Sequence, residues 1–132
     1  MIMKKVLSIF SVSLLLWSCQ DNNKIEVGNK TEIEVQSVVE MGDVILGENV
    51  NATFNVKNVG EYPLILAEVK GSCSCTVAEY KKDPIAPGES VTIKATVKTD
   101  NAQPGLLRKD VRIVSNTDPS ITSVLITANV LR

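Results

Sequence analysis

The sequence predicts an all-β domain, folded as a two-sheet sandwich of about seven short strands. Three observations lead there. From Thr31 onward the apolar residues recur with a period of two, the period of a strand with one wet face. Turn-forming clusters of Gly, Pro and Asn fall every ten or so residues. No stretch carries a 3.6-residue period, which disfavours a parallel sheet crossed by helices.

The chain has 132 residues, the length of one ordinary domain. A globular chain of this size buries roughly two-thirds of its unfolded surface, so one real core is available. The start reads as an address. Lys4 and Lys5 form a positive head, and residues 6–16 are mostly apolar. That run is far short of the ~20 residues of a spanning helix. Leu16-Trp17-Ser18-Cys19 follows and resembles a bacterial lipoprotein lipobox, with Trp17 bulkier than usual at its position. The resemblance implies that Cys19 takes a diacylglycerol thioether and becomes the new N-terminus. The plainer alternative is an ordinary secretory signal that leaves Cys19 as a free thiol.

Cysteine arithmetic fits lipidation. The chain has three Cys, an odd number for an exported protein. Lipid on Cys19 leaves Cys73 and Cys75 as a pair. Each buried acyl CH₂ contributes about 0.8 kcal/mol, so a multiply acylated Cys anchors without a spanning helix. Loss of residues 1–18 removes Lys4 and Lys5, and the remainder is too acidic for electrostatic attachment to anionic lipid. The expected organisation is a lipoprotein signal peptide over 1–18, a lipidated N-terminus and tether over 19–36, and the sandwich domain over 37–132. Gln20, non-acidic beside the acylated Cys, leans the expected cell-envelope location toward the outer membrane.

The strands follow in order. Ile33, Val35 and Val38 alternate with Glu32, Glu34 and Gln36, and Gly42 and Gly47 then break the pattern around Val44-Ile45-Leu46. Val50, Ala52, Phe54 and Val56 share one face of a half-buried strand. Asn58-Val59-Gly60-Glu61 turns the chain. Residues 64–69 are more uniformly apolar and predict a central strand. Ala86-Pro87-Gly88-Glu89 is a turn, with Pro87 presetting φ and Gly88 accepting positive φ. Val91, Ile93, Ala95 and Val97 mark the next strand. A loop containing Pro104-Gly105 leads to Val111 and Ile113. Asn116-Thr117-Asp118-Pro119 turns again, and Val124, Ile126, Ala128 and Val130 close the domain.

Composition removes several function classes. There is no His, so Ser-His, Cys-His and His-metal chemistry is excluded. A net charge of −1 gives no concentrated basic face, so no nucleic-acid partner is expected. Aromatic residues make up 4%, too few for stacking platforms. Lys81-Lys82-Asp83 reads as a solvated loop, and Asp100 and Asp110 as turn and sheet-surface residues rather than a carboxylate pair.

Four segments then identify a family. They are Phe54-Asn55-Val56-Lys57-Asn58-Val59-Gly60, Pro63-Leu64, Val69-Lys70-Gly71-Ser72-Cys73-Ser74-Cys75-Thr76 and Ile85-Ala86-Pro87-Gly88. Gly105, Val111-Arg112-Ile113 and Ser115-Asn116 continue the pattern. Together they resemble the DUF1573 family of exported bacterial domains of unknown function, over roughly residues 40 to 130. Ser74 stands where that family usually places Gly. The resemblance implies an immunoglobulin-like sandwich related to ASH and MSP domains. It implies no established activity, and structural turns at Gly60, Pro87, Gly88 and Gly105.

Three readings of Cys73 and Cys75 stay open. Residues two apart in a strand share a face, so the thiols are neighbours. A disulfide needs a local bend, and the chain-entropy relation gives a three-residue loop only about 1.5 kcal/mol. Two thiolates also suit a soft ion such as Cu(I), or redox exchange; zinc would need further ligands such as Glu79 or Asp83. The third reading is a pair of inert small residues. The expected function is a lipid-anchored, non-enzymatic module that docks a protein partner in the cell envelope. Copper handling or thiol–disulfide chemistry through Cys73 and Cys75 is the alternative.

Overall fold

The computed structural model describes residues 28–132. Eight strands form two four-stranded sheets. The first sheet holds β1 (Ile33–Glu34), β3 (Asn49–Asn58), β6 (Ser90–Lys98) and β5 (Thr76–Glu79), in that order. The second holds β2 (Val38–Ile45), β8 (Ile121–Leu131), β7 (Gly105–Ser115) and β4 (Leu66–Gly71). All pairings are antiparallel except β2 with β8. The all-β, immunoglobulin-like sandwich expected from the sequence is what forms.

Alternation explains the core. Val50, Ala52, Phe54 and Val56 of β3 face inward, opposite Val97, Ala95, Ile93 and Val91 of β6. Val111 and Ile113 of β7 and Val124, Ile126 and Ala128 of β8 meet them from the second sheet. Ile93, Val97, Val111, Ile113 and Val124 are fully buried. Their removal from water is the main favourable term holding the two layers together. Outward positions of the first sheet are polar: Thr92 donates to Asn55 Oδ1 at 2.8 Å and Thr96 to Asn51 Oδ1 at 3.0 Å.

Four details differ from the sequence reading. First, the apolar run at 64–69 is not a central strand. Its strand begins at Leu66 and is the edge of its sheet, beside β7 alone. Leu64 instead bridges Ile85, while Ala67 and Glu68 are exposed at a register shift. Second, Val39 rather than Val38 faces the core; Val38 is 44% exposed. Third, Gly42 does not end a strand. It adopts φ +70° where β2 shifts register against β8 between Glu40 and Asp43, and the strand runs on to Ile45. Fourth, β1 lies inside the segment read as tether, pairing Ile33 with Asn58, and Thr31 bridges Thr117.

The register gives the sandwich two distinct ends. The chain comes in at Thr31, beside Gly60 and Thr117. That near end also holds the 84–89 turn and the 116–120 turn. β3 runs toward it from the far end over ten residues, about 33 Å at strand rise. The far end carries the β2–β3 turn, the loop after β6, the turn with Cys73 and Cys75, and the end of β8 at Leu131.

Candidate functional site

The near end is held by two side-chain amides. Asn58 is fully buried, and its amide is fully used. Its Oδ1 accepts from Thr31 Oγ1 at 2.9 Å and from the Gly60 amide at 3.1 Å. Its Nδ2 donates to Tyr62 O at 2.7 Å and Ile85 O at 2.9 Å. Asn116 does the same for the neighbouring loops: Oδ1 accepts from Ile65 N at 2.7 Å, and Nδ2 donates to Pro63 O at 2.9 Å and Asn29 O at 3.0 Å. Unpaired backbone groups are costly wherever the chain packs against itself, and the two amides supply partners for these turns. Gly60 is required for space rather than for φ: a Cβ there would strike Thr31 Oγ1 and lie 2.5 Å from the Glu32 amide nitrogen. Gly88 is a turn residue as read, with φ +82° and its N–H on Asn58 O at 2.8 Å. Pro87 sits in the same turn, closed by Glu89 N on Ala86 O at 3.0 Å, and Gly105 opens β7 with φ +113°.

The far end carries the chemistry. Cys73 and Cys75 stand in the turn between β4 and β5, and their sulfurs are bonded to each other. The Cα atoms are 5.2 Å apart, so the turn supplies the bend that an extended strand lacks. Three backbone hydrogen bonds hold this turn without the bridge: Ser72 N to Asp110 O at 2.8 Å, Thr76 N to Cys73 O at 3.1 Å, and Lys98 N to Cys75 O at 2.8 Å. Gly71 lets the chain double back closely; a Cβ there would meet Thr76 Cγ2 at 2.6 Å. Thr76 Oγ1 lies 3.7 Å from Cys73 Sγ and 3.9 Å from Cys75 Sγ. Both cysteines are half-buried and Ser74 between them is exposed.

Two open recesses flank the bridge. Cys75 and Ser74 line one of about 320 Å³, together with Lys98, Asp100 and Lys109. Cys73 lines the other, a groove of about 570 Å³ along Val69, Gly71, Thr76 and Val77. Neither Glu79 nor Asp83 lines either recess. Among the described residues, no three or more His, Cys, Asp or Glu side chains gather where a metal ion would sit. While Cys73 and Cys75 are bridged, they offer Cu(I) no thiolate.

On the outer face of the second sheet, the far end presents large apolar side chains. Ile45 and Leu131 are register partners, 53% and 42% exposed, and Leu106 is 69% exposed. Leu106 pairs with Asn129, which places it diagonal to Leu131 and within side-chain reach. Asn129 Nδ2 donates to Asp43 Oδ1 at 2.8 Å beside them, and half-exposed Leu46 adjoins. These residues carry no special signal in the sequence, because only the register brings 45, 106 and 131 together. Cys19 and the signal segment lie outside the described residues. Among the described residues, no helix is long and apolar enough to cross a membrane.

Known structures share this fold. A crystal structure of a protein of unknown function from Porphyromonas gingivalis W83 superposes with a TM-score of 0.68 at 21% identity, over 80% of this chain and 50% of that one. The human CEP192 ASH/PapD-like domain 7 gives 0.62 at 7% identity, over 78% and 87%. The secreted serine protease VesC from Vibrio cholerae gives 0.61 at 12% identity, over 79% of this chain and 24% of that one. The chain thus spans half of the Porphyromonas protein and about a quarter of VesC. At these identities the likeness speaks for the fold alone. No curated protein matches the chain by sequence. The family described as "Protein of unknown function (DUF1573)" matches residues 31–130, most of the chain, and the protein belongs to the DUF1573 family.

Proposed function

We propose that this protein is a lipid-anchored, non-catalytic docking module of the cell envelope, held to a membrane through Cys19 and presenting its far end to a protein partner. The observation that carries the reading is polarity of placement. The chain comes in at the near end, beside Thr31, while Ile45, Leu106 and Leu131 are exposed at the other. An anchor before residue 28 would leave that apolar face pointing away from the lipid. Exposed apolar side chains grouped on one face, with Arg108 and Asn129 beside them, have the character of an interface core with a polar rim. With no His in the chain, no Ser-His or Cys-His set competes with a docking role.

Capture from detergent-solubilised membranes tests the reading. The full chain is expected to retain a stoichiometric protein partner, and Leu106→Lys with Leu131→Lys is expected to release it. Retention of the same partner by the double variant would refute the assigned surface. Intact mass of the exported protein checks the anchor: a diacylglycerol adduct on Cys19 is expected, and an unmodified Cys19 thiol would refute anchoring.

A further inference from the structure

The bridge between Cys73 and Cys75 is poorly placed to act as a staple. It closes a three-residue loop, the size at which cross-linking constrains the unfolded chain least. The turn is already fixed by the amides of Ser72, Thr76 and Lys98. The bridge also lies at the end of the sandwich, half-exposed, between two open recesses. Reducible disulfides are the exposed ones, and reactive thiolates are found beside cations and hydroxyl donors.

The two sulfurs meet different surroundings. Cys75 shares its recess with Lys98 and Lys109, against one carboxylate, Asp100. A thiolate released there gains from the excess positive charge. Cys73 instead borders the groove along β5, the edge strand of its sheet, where Val77 is 49% exposed. An unpaired strand edge with an exposed apolar residue suits an extended peptide. Thr76 Oγ1, within 4 Å of both sulfurs, is placed to donate to whichever one carries charge.

We propose that Cys73–Cys75 is a thiol–disulfide exchange centre for an extended, dithiol-bearing peptide, with Cys73 the sulfur attacked and Cys75 the sulfur released. In the first step a peptide thiolate attacks Cys73 Sγ. A mixed disulfide forms, the Cys73–Cys75 bond breaks, and its electron pair leaves on Cys75. In the second step the peptide's other thiolate attacks the peptide sulfur of the mixed disulfide and releases Cys73. The peptide is oxidised to its disulfide, Cys73 and Cys75 are reduced to thiols, and the two protons lost by the peptide end on them. No further oxidant enters this half-reaction. The docking reading concerns the leucine face and is independent of this chemistry.

The test uses the full chain in detergent with reduced glutathione as the probe, acid quenching and peptide mapping. The expected result is a glutathione adduct on Cys73 and a bridge that opens partway across mixtures of reduced and oxidised glutathione, with the far-ultraviolet circular dichroism unchanged. A bridge that stays closed in every mixture, or an adduct on Cys75, would overturn the proposal. Lys98→Gln with Lys109→Gln is expected to slow opening about threefold or more; an unchanged rate would overturn the choice of leaving sulfur. Cys75→Ser is expected to fold and to hold glutathione on Cys73, and its unfolding would show the bridge to be a staple after all. Val77→Lys is expected to slow reaction with a reduced, two-cysteine extended peptide while sparing glutathione. Equal slowing of both, or of neither, would remove the peptide groove.

Discussion

The two ends of this sandwich solve opposite problems. The near end gathers three irregular segments and ties backbone groups of each through the side chains of Asn58 and Asn116. At the far end, buried Thr99 makes a comparable tie: its hydroxyl donates to Glu48 O at 2.6 Å and accepts from Gly47 N at 2.9 Å. Its remaining side chains are spent on exposed leucines, two lysine-flanked or groove-facing sulfurs, and open recesses. One end is closed by satisfied polar groups, and the other is left available. The difference teaches that one core can serve the whole strand length while its two ends are finished differently, one with paired polar groups and one with exposed apolar side chains.

Substitutions can break that contrast, the largest effect coming at the near end. Asn58→Ala removes four hydrogen bonds and strands the buried Thr31 hydroxyl and the Gly60 amide, while Ile85 O keeps the Leu64 N–H. Each unsatisfied buried group costs about 1–3 kcal/mol, so a loss of about 4 kcal/mol is expected in urea denaturation, enough to threaten folding. Asn116→Ala strands Ile65 N and Pro63 O at a half-buried site, with about 2 kcal/mol expected by the same measurement. A loss under about 0.5 kcal/mol at either position would show that water replaces the amide there. At the far end, Leu106→Lys touches a residue that is already mostly in water. Its stability is expected to stay within about 0.5 kcal/mol of the parent, while partner capture is lost. A large loss of stability would place Leu106 in the fold's own support rather than on a docking face.

Much of the fold was legible in the sequence because the physics is local. Val50, Ala52, Phe54 and Val56 announce a two-faced strand through side-chain alternation alone, and so do Val91, Ile93, Ala95 and Val97. The apolar run at 64–69 misled because an edge strand preceded by a bridge at Leu64 has the same letters as a strand buried on both faces. Asn58 and Asn116 read as ordinary turn residues, since Asn favours turns whether or not its amide is buried. The Cys pair was visible, but not its bend, which depends on the close approach of Gly71 to Thr76. The leucine face was invisible. Residues 45, 106 and 131 become neighbours only through the register of β2, β7 and β8.

The position of β8 carries one more consequence. It is the last strand of the domain, yet it lies inside its sheet, with β2 on one side and β7 on the other. Until the ribosome has delivered residues 121–131, β2 has no in-sheet neighbour at all and β7 has only β4. The edges of both strands that pair with β8 stay open until then. A chain built this way gains little by collapsing before β8 arrives, and residues 121–131 act as the key that lets the rest lock.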